Sequence, residues 1–340
     1  MRTHNSNFQG AGLCPTGEVY NEGLAAQQLP QFSIPHDSCS ALSSIACVFQ
    51  HFFIFFPPSI FQTLVLNMAS ASQLIEVYAP ANEPVADIVF VHGLNPLGQN
   101  DYIRRAWTHP DGTLWPKHLL PKDTPNSRIM LFGYNANNAS NFSAATTRAH
   151  ANALLERVDL SRSSPQAKRR RLVFVGHSLG GLIIKQALVD AQGRYTSIKQ
   201  ATHGVVFFGT PHQGGSKETL CRITANIIAA SGGSVSNDLM LSLERDSQNA
   251  RNANEVFRQT ARDIEIVNFF ECRNANLKKP VGMHTAAIVV DAKSATLGML
   301  KEHQINMDCN HTAMCRFSGR DHMYEPVGGQ FRRLAEGRWQ

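Results

Sequence analysis

The stretch that decides the fold reads RLVFVGHSLGG, from Arg171 to Gly181. Its apolar run, Leu172 to Val175, predicts a buried β-strand that ends in the pentapeptide Gly-His-Ser-Leu-Gly at residues 176–180. An apolar helical pattern follows at once, through Leu182, Ile183 and Leu188. The predicted order of strand, sharp turn and helix places the hydroxyl of a serine, Ser178, at the tip of the turn.

This order is typical of the nucleophile elbow of the α/β-hydrolase fold. A serine in such a strained turn projects its hydroxyl above the sheet, and Gly176 and Gly180 leave room where strand and helix backbones crowd together. The backbone N–H of Leu179 can point at a developing oxyanion. The bare G-x-S-x-G pattern is weak, because glycine and serine are common. The prediction therefore depends on the flanking strand and helix, and a structural glycine-rich turn is the alternative.

Composition favours one large domain with an extension. The chain has 340 residues, of which 43% are hydrophobic and 17% are charged, and its formal net charge is +6. The densest basic run, residues 168–171, could be a nuclear-localisation or nucleic-acid patch, but a solvated loop ahead of a strand is the favoured interpretation. No nucleic-acid-binding module is visible in the sequence, so we predict no nucleic-acid partner.

Cysteine usage favours an intracellular location. The seven cysteines are odd in number and irregularly spaced, without a C-x-x-C pair, and so resemble neither a disulfide framework nor a zinc site. The expected location is the cytoplasm, an organelle or a membrane surface, the mitochondrion and the endoplasmic reticulum included. There is no H-E-x-x-H or P-loop pattern, and the sequence therefore predicts neither a metal nor another cofactor.

Residues 1–67 differ from the rest of the chain. Their first part is polar and turn-rich, and an apolar, phenylalanine-rich stretch from Ile45 to Leu66 follows. Polar residues and a Pro-Pro pair interrupt that stretch before it reaches the ~20 apolar residues of a spanning helix. We therefore expect a poorly structured extension, with peripheral membrane association as an open alternative, and a hydrolase domain over residues 68–340 that could begin naturally at Met68.

From Gln73 onward, strand and helix patterns alternate. This alternation predicts an α/β protein with a mainly parallel sheet and helices on both faces. Residues 213–263 carry helical rather than strand patterns, and they predict a helical cap over the site, with ordinary packing helices as the alternative. The predicted strands are Leu74–Tyr78, Ile88–Val91, Arg128–Phe132, Leu172–Val175, Val205–Phe208, Ile264–Phe270 and Ala286–Val290, and a helix is predicted over Ala144–Val158.

A serine hydroxyl is a poor nucleophile until a base removes its proton, and the base needs an acid that orients it. In this fold the chain order is serine, acid, histidine. Three histidines follow the last predicted strand, namely His303, His311 and His322. We select His311 as the base, because His303 lies in a sequence with helical character and His322 lies farther out in a polar loop.

The acid is expected just past the penultimate predicted strand, where Glu271 follows Phe270. Asp291, after the next predicted strand, is the alternative acid, unless it only caps the turn that begins at Ala292. The oxyanion hole needs two N–H donors. We expect one from Leu179 and the other from Leu94, which lies in the loop after the strand Ile88–Val91.

Five separated motifs together resemble a known family. They resemble the lipase-like α/β-hydrolases related to the serine-active-site-containing protein and, more distantly, to GPI inositol-deacylases. In fungi, similar domains often precede NACHT-type or repeat regions. The resemblance covers roughly residues 73–325 and is carried by VFVHGLNPLG (89–98), FGYNA (132–136), FVGHSLGGLIIKQAL (174–188), VVFFGTPHQG (205–214) and NHTAMCRFSGRD (310–321).

The resemblance implies a nucleophile at Ser178 and a base at His311, and it supports Glu271 less firmly. It implies a serine esterase or lipase-like acyl hydrolase that acts on an ester or lipid substrate through an acyl-enzyme. The alternative is a domain that keeps the fold but turns over little substrate, serving as an effector or interaction module of a fungal signalling protein.

Overall fold

The computed structural model describes residues 72–95, 97–136, 144–212, 217–230, 254–278 and 284–336. All of these residues belong to one compact unit, Gln62–Gln340. The expected extension, residues 1–67, lies outside the described residues. So do residues 213–216 and 231–253 of the expected cap.

A seven-stranded sheet forms the centre of the fold, and a separate two-stranded sheet accompanies it. The strands are β1 Gln73–Tyr78, β2 Ala86–Val91, β3 Ser127–Gly133, β4 Arg171–His177, β5 Thr202–Phe208, β6 Glu265–Glu271, β7 Ala275–Lys278, β8 His284–Ala287 and β9 Glu302–Met307. The order across the large sheet is β1-β3-β2-β4-β5-β6-β9. Strand β1 is antiparallel to β3, and every other neighbouring pair in this sheet is parallel.

Helices connect the parallel strands. They are α1 Tyr102–Arg105, α2 Trp115–His118, α3 Ala144–Ser161, α4 Pro165–Arg169, α5 Gly180–Asp190, α6 Thr196–Ala201, α7 Lys217–Ala230, α8 over residues 254–260, and α9 Glu325–Glu336. Two short 3₁₀ helices cover Leu120–Lys122 and Gly193–Tyr195. Within the described ranges, none of the helices combines the length and the apolar character that crossing a membrane requires.

The two faces of the large sheet bury separate apolar clusters. In β2, Val89 and Val91 pack into one cluster, whereas Ile88 and Phe90 pack into the other, as the two-residue period of a strand requires. The first cluster includes apolar side chains of α3 and α5, and the second includes side chains of α2 and α9. The fold is thus an α/β-hydrolase fold with a mostly parallel sheet and helices on both faces, as predicted.

The last strand of the large sheet is not the one predicted. Of the predicted strand Ala286–Val290, only Ala286 and Ala287 lie in a strand. They belong to β8, which pairs antiparallel with β7 in the small sheet, and β9 occupies the sheet edge beside β6. The expected helical character around His303 is also wrong, because His303 lies within β9. An edge strand exposes one side to solvent, and its polar sequence, EHQINM, therefore lacks the apolar run by which strands are recognised.

A buried charge cluster joins β2 to its neighbours at the amino ends of the strands. Asp87 is fully buried, and its carboxylate forms ion pairs with Arg128 at 2.8 Å, Arg170 at 3.1 Å and the buried Arg162. Arg170 also pairs with Glu83. One member of the basic run 168–171 thus serves the packing of the strands, because a carboxylate can be buried at this depth only when cations and hydrogen bonds compensate it.

We expect Asp87→Asn to destabilise the protein by about 3 kcal/mol or more, because it leaves buried guanidinium groups without their counter-charge. Urea unfolding measures the loss. The matched control is Asp101→Asn, whose carboxylate forms an exposed ion pair with Arg104 and should contribute less than about 1 kcal/mol. Equal losses in the two variants would contradict the structural role of the cluster.

Candidate active site

The turn after β4 holds Ser178 in a left-handed backbone conformation. Its φ is 54°, and Asp101 is the only other non-glycine residue in the described ranges with a positive φ. Such a conformation is uncommon for a residue with a side chain and persists only where the surroundings impose it. Here the backbone N–H of Ser178 donates to the carbonyl of Phe208, at the end of β5, over 2.8 Å.

Glycines allow the elbow to pack tightly against its neighbours. A Cβ atom added to Gly176 would lie 2.7 Å from the Cα of Gly181, where strand β4 passes helix α5. A Cβ atom on Gly180 would overlap the carbonyl oxygens of Val91 and His92, at the end of β2. The start of α5 therefore lies against the loop after β2, the two segments from which we expected oxyanion donors.

Ser178, His311 and Glu271 meet at the carboxyl end of the sheet. The His311 Nε2 atom lies 3.0 Å from Ser178 Oγ, and its Nδ1 atom lies 3.3 Å from a carboxylate oxygen of Glu271. The three residues are almost completely buried, with 1%, 1% and 3% of Ser178, His311 and Glu271 exposed. The imidazole therefore bridges a hydroxyl and a carboxylate, which is the arrangement that a base and its orienting acid require.

The carboxylate of Glu271 is anchored from a second direction. Its Oε1 atom accepts a hydrogen bond from the backbone N–H of Val290 over 2.7 Å. Val290 lies in the apolar segment that we predicted as a strand, and it is fully buried. This segment thus contributes to the site as a backbone donor that fixes the carboxylate, although it is not a strand of the large sheet.

The other candidate residues lie elsewhere. Asp291 accepts hydrogen bonds from the backbone N–H and the hydroxyl of Ser294 at 2.9 and 3.1 Å, so it caps the turn beginning at Ala292. His303 is exposed on β9, and His322 is exposed in a turn before α9. The structure therefore places Glu271, and not Asp291, beside Ser178 and His311. The other two candidate histidines lie away from this group.

Sequence reasoning did not identify a role for His177, the residue that precedes Ser178. Its Nε2 atom donates to the backbone carbonyl of His311 over 3.1 Å, and the two imidazole rings lie 5.1 Å apart. Burial, together with the nearby His311, lowers the pKa of His177 well below its usual value, so this ring is neutral. His177 thereby ties the loop that carries His311 to the elbow. Its position inside the elbow motif was the only signal available.

The loop after β2 is ordered by aromatic packing and hydrogen bonds. His92 stacks on Tyr134 with 4.5 Å between ring centroids, and the Tyr134 hydroxyl donates to the His92 carbonyl over 2.8 Å. Burial lowers the pKa of His92 to about 4, and its Nδ1 atom donates to the Gly93 carbonyl over 2.8 Å. These contacts hold Leu94, which is buried, at the edge of the pocket that also contains Ser178.

A small cavity of about 20 Å³ surrounds the Ser178 and His311 side chains. Ile227 reaches it from α7, which belongs to the predicted cap, and Leu94 reaches it from the loop after β2. The remaining lining residues are Tyr102, Ala106, His177, Thr312 and Arg316. A reacting carbonyl group could enter here beside the serine, where the apolar side chains of Leu94 and Ile227 lie among polar ones.

Comparison with known proteins identifies a family whose sequence pattern this chain matches. Residues 82–271 match the family described as putative serine esterase (DUF676), a range that includes Ser178 and Glu271 and ends before His311. Protein SERAC1 of Danio rerio is 29% identical to this chain and that of Homo sapiens is 27% identical, over 71% of this chain in each case. The chain spans only 38% of the length of these relatives.

Solved structures include similar folds at low sequence identity. The mature lipase BlEst2 of Bacillus licheniformis is 15% identical to this chain, with a TM-score of 0.48. The alignment covers 76% of this chain and 98% of the lipase chain.

Substituting one elbow glycine should disrupt the site. We expect Gly180→Ala to destabilise the protein by about 3 kcal/mol, because the new Cβ would overlap two backbone carbonyl oxygens that cannot move independently. Differential scanning calorimetry measures the effect. Gly319→Ala is the control, since its Cβ would have no neighbour within 4 Å, and it should change stability by less than about 0.5 kcal/mol. Similar melting temperatures in both variants would contradict the proposed tight packing.

Proposed function

Because this chain belongs to the putative serine esterase family (DUF676), we propose that it is a serine carboxylic-ester hydrolase of esterase or lipase-like type. The observation that carries the proposal is the position of His311, with Nε2 3.0 Å from Ser178 Oγ and Nδ1 3.3 Å from Glu271. Ser178 is the proposed nucleophile, His311 the base, and Glu271 the acid that orients it.

In the proposed reaction, Ser178 Oγ attacks the ester carbonyl carbon while His311 Nε2 accepts the hydroxyl proton. The C–O bond to the alcohol then breaks, and the alcohol leaves with the proton from His311. The acyl group stays on Ser178 until a water molecule, deprotonated by His311, attacks its carbonyl carbon. The bond to Ser178 Oγ then breaks, His311 returns the proton to Oγ, and the carboxylic acid leaves. Glu271 holds the imidazole in the required tautomer and stabilises its protonated form in both steps.

The negative charge that develops on the carbonyl oxygen needs donors that are already in place. We assign this role to the backbone N–H groups of Leu179 and Leu94. Leu179 is the N-cap residue of α5, so the partial positive charge of the helix N-terminus adds to its N–H group. Preorganised donors of this kind typically contribute ~10²–10³ in turnover each, so both backbone positions should matter as much as the side chains.

The proposed substrate is a carboxylic ester, with lipid esters included. Support comes from the apolar side chains of Leu94 and Ile227 beside the serine, and from the position of α7, which fits a cap. The proposed location is intracellular, in the cytoplasm or at an organelle, and peripheral membrane association through residues 45–66 is the alternative. Free thiols at Cys272, Cys309 and Cys315 are consistent with a reducing compartment.

The nucleophile is tested by labelling with a fluorophosphonate probe and by hydrolysis of a short-chain ester. Ser178→Ala should abolish both, while the melting temperature stays close to wild type, because only one oxygen atom is removed. Ser318→Ala is the control, since Ser318 is an exposed serine in the loop beyond His311 and should react normally. Full labelling of Ser178→Ala, or no labelling of the wild-type protein, would overturn the proposed function.

The acid is tested by comparing two isosteric substitutions. Glu271→Gln should lower kcat about 10³-fold or more, because an amide cannot stabilise the protonated imidazole or impose its tautomer. Asp291→Asn should leave kcat near wild type, because this carboxylate caps a turn. Steady-state kinetics on one soluble ester decides between them. The reverse pattern would transfer the role of the acid to Asp291.

A further inference from the structure

A much larger cleft adjoins the cavity beside Ser178. Tyr102, Thr312 and Arg316 line both the small cavity and a cleft of about 560 Å³. This cleft lies between the loop after β2, helix α1 and the loop that carries His311. A substrate with its carbonyl at Ser178 has room for one of its substituents here, so the chemistry of the cleft wall bears on which esters fit.

The wall of the cleft is polar and cationic. Two arginines line it, Arg105 on α1 and Arg316, and none of its described lining residues carries a carboxylate. Its other polar lining residues include Asn95, Gln99, Tyr102, Thr108 and Thr312. Hydroxyl and amide side chains thus line the cleft together with the two cations, a lining that suits a charged group better than an alkyl chain.

The carboxylates nearest to the cleft already have partners. Asp101 pairs with Arg104 at 2.9 Å, and Asp111 lies 3.0 Å from His109 and accepts the backbone N–H of Thr113 over 2.8 Å. In the described part of the chain, neither Arg105 nor Arg316 forms an ion pair with a carboxylate. Two cations beside one cleft, with no carboxylate partner among the described residues, favour the binding of an anion there.

Arg316 is the better placed of the two arginines. It is half-buried, five residues after His311, and its Nε atom donates to the carbonyl of Ala106 over 3.3 Å. This bond holds the stem of the side chain at the junction between cavity and cleft. The charge of Arg316 also reaches the interior, because it contributes to the lowered pKa of the buried His177. Arg105, by contrast, is exposed at the rim of the cleft.

We propose that the cleft binds an anionic substituent of the ester substrate, a carboxylate or a phosphate, and that Arg316 is the main specificity-determining residue, with Arg105 assisting. The inference rests on the proposed esterase function. A planar guanidinium can donate two parallel hydrogen bonds to either anion, and such charge-assisted bonds are about twice as strong as neutral ones. The anion takes no part in bond breaking: the carbonyl is attacked by Ser178, and only the ester bond is cleaved.

The test compares soluble esters that differ in one anionic group. One pair is 4-nitrophenyl hexanoate and mono-4-nitrophenyl adipate, which places a carboxylate on the acyl side. The other pair is dihexanoylglycerol and dihexanoyl phosphatidate, which places a phosphate on the alcohol side. We expect kcat/KM to favour the anionic member of at least one pair by about tenfold or more, and the pair that shows the preference identifies the anion.

Variants connect that preference to the cleft. Arg316→Gln should lower the anionic-to-neutral ratio of kcat/KM about tenfold, mainly through KM, and Arg105→Gln should lower it less. Arg316→Lys should restore part of the ratio, because it keeps the charge but loses the planar fork. Arg104→Gln is the matched control, since Arg104 neighbours Arg105 on α1 but pairs with Asp101, and it should keep the wild-type ratio.

Each remaining outcome is decisive. If neutral esters are hydrolysed and the probe labels Ser178, but no anionic ester is preferred, this inference fails and the proposed function stands. An unchanged ratio in both Arg316→Gln and Arg105→Gln, or an equal loss in Arg104→Gln, also overturns it, because general surface charge would then explain the preference. If no ester is hydrolysed and Ser178 is not labelled, the proposed function and this inference fail together.

Discussion

The strained backbone at Ser178 is the constraint on which the rest of the site depends. A residue with a side chain adopts a φ of 54° only when its surroundings compensate the cost, of order 1–3 kcal/mol. The compensation comes from the hydrogen bond to Phe208 on β5 and from close packing at Gly176 and Gly180. The same turn directs the hydroxyl upward and starts helix α5, so one local conformation supplies both the proposed nucleophile and one proposed oxyanion donor.

The parallel sheet brings the remaining groups to this turn without a special motif. Strands β6 and β9 are adjacent and parallel, with Glu271 opposite Met307, so the segments that follow them leave the sheet side by side. Glu271 therefore ends its strand beside the loop that returns His311 to Ser178. Because all carboxyl ends of parallel strands meet at one edge, a serine, a carboxylate and an imidazole far apart in the chain become neighbours.

This geometry explains which features could be predicted from the sequence. The elbow can be predicted because its strand, turn and helix are contiguous in the sequence. Glu271 can be predicted because it follows an apolar strand pattern. The edge strand β9 cannot be predicted in this way, because its polar residues face solvent and form no apolar run. The Asp87 cluster was equally invisible, because it joins residues 41, 75 and 83 positions apart. The proposed role of Arg316 could not be predicted from the sequence either, because it depends on a cleft that Arg316 and helix α1 line together.

The histidines around the site differ in the groups that surround them, and this difference supports the assignment of His311. His92, His177 and His212, the last of which follows β5, are buried among neutral or cationic neighbours, and desolvation is the main cause of their lowered pKa values. A lowered folded-state pKa means that the unfolded chain binds these protons more readily, so stability falls as pH drops below the usual imidazole pKa of about 6.5. His311 differs from all three in having a carboxylate at its Nδ1 atom. Of these four rings, His311 alone connects a carboxylate to the hydroxyl of Ser178, which supports its proposed role as the base.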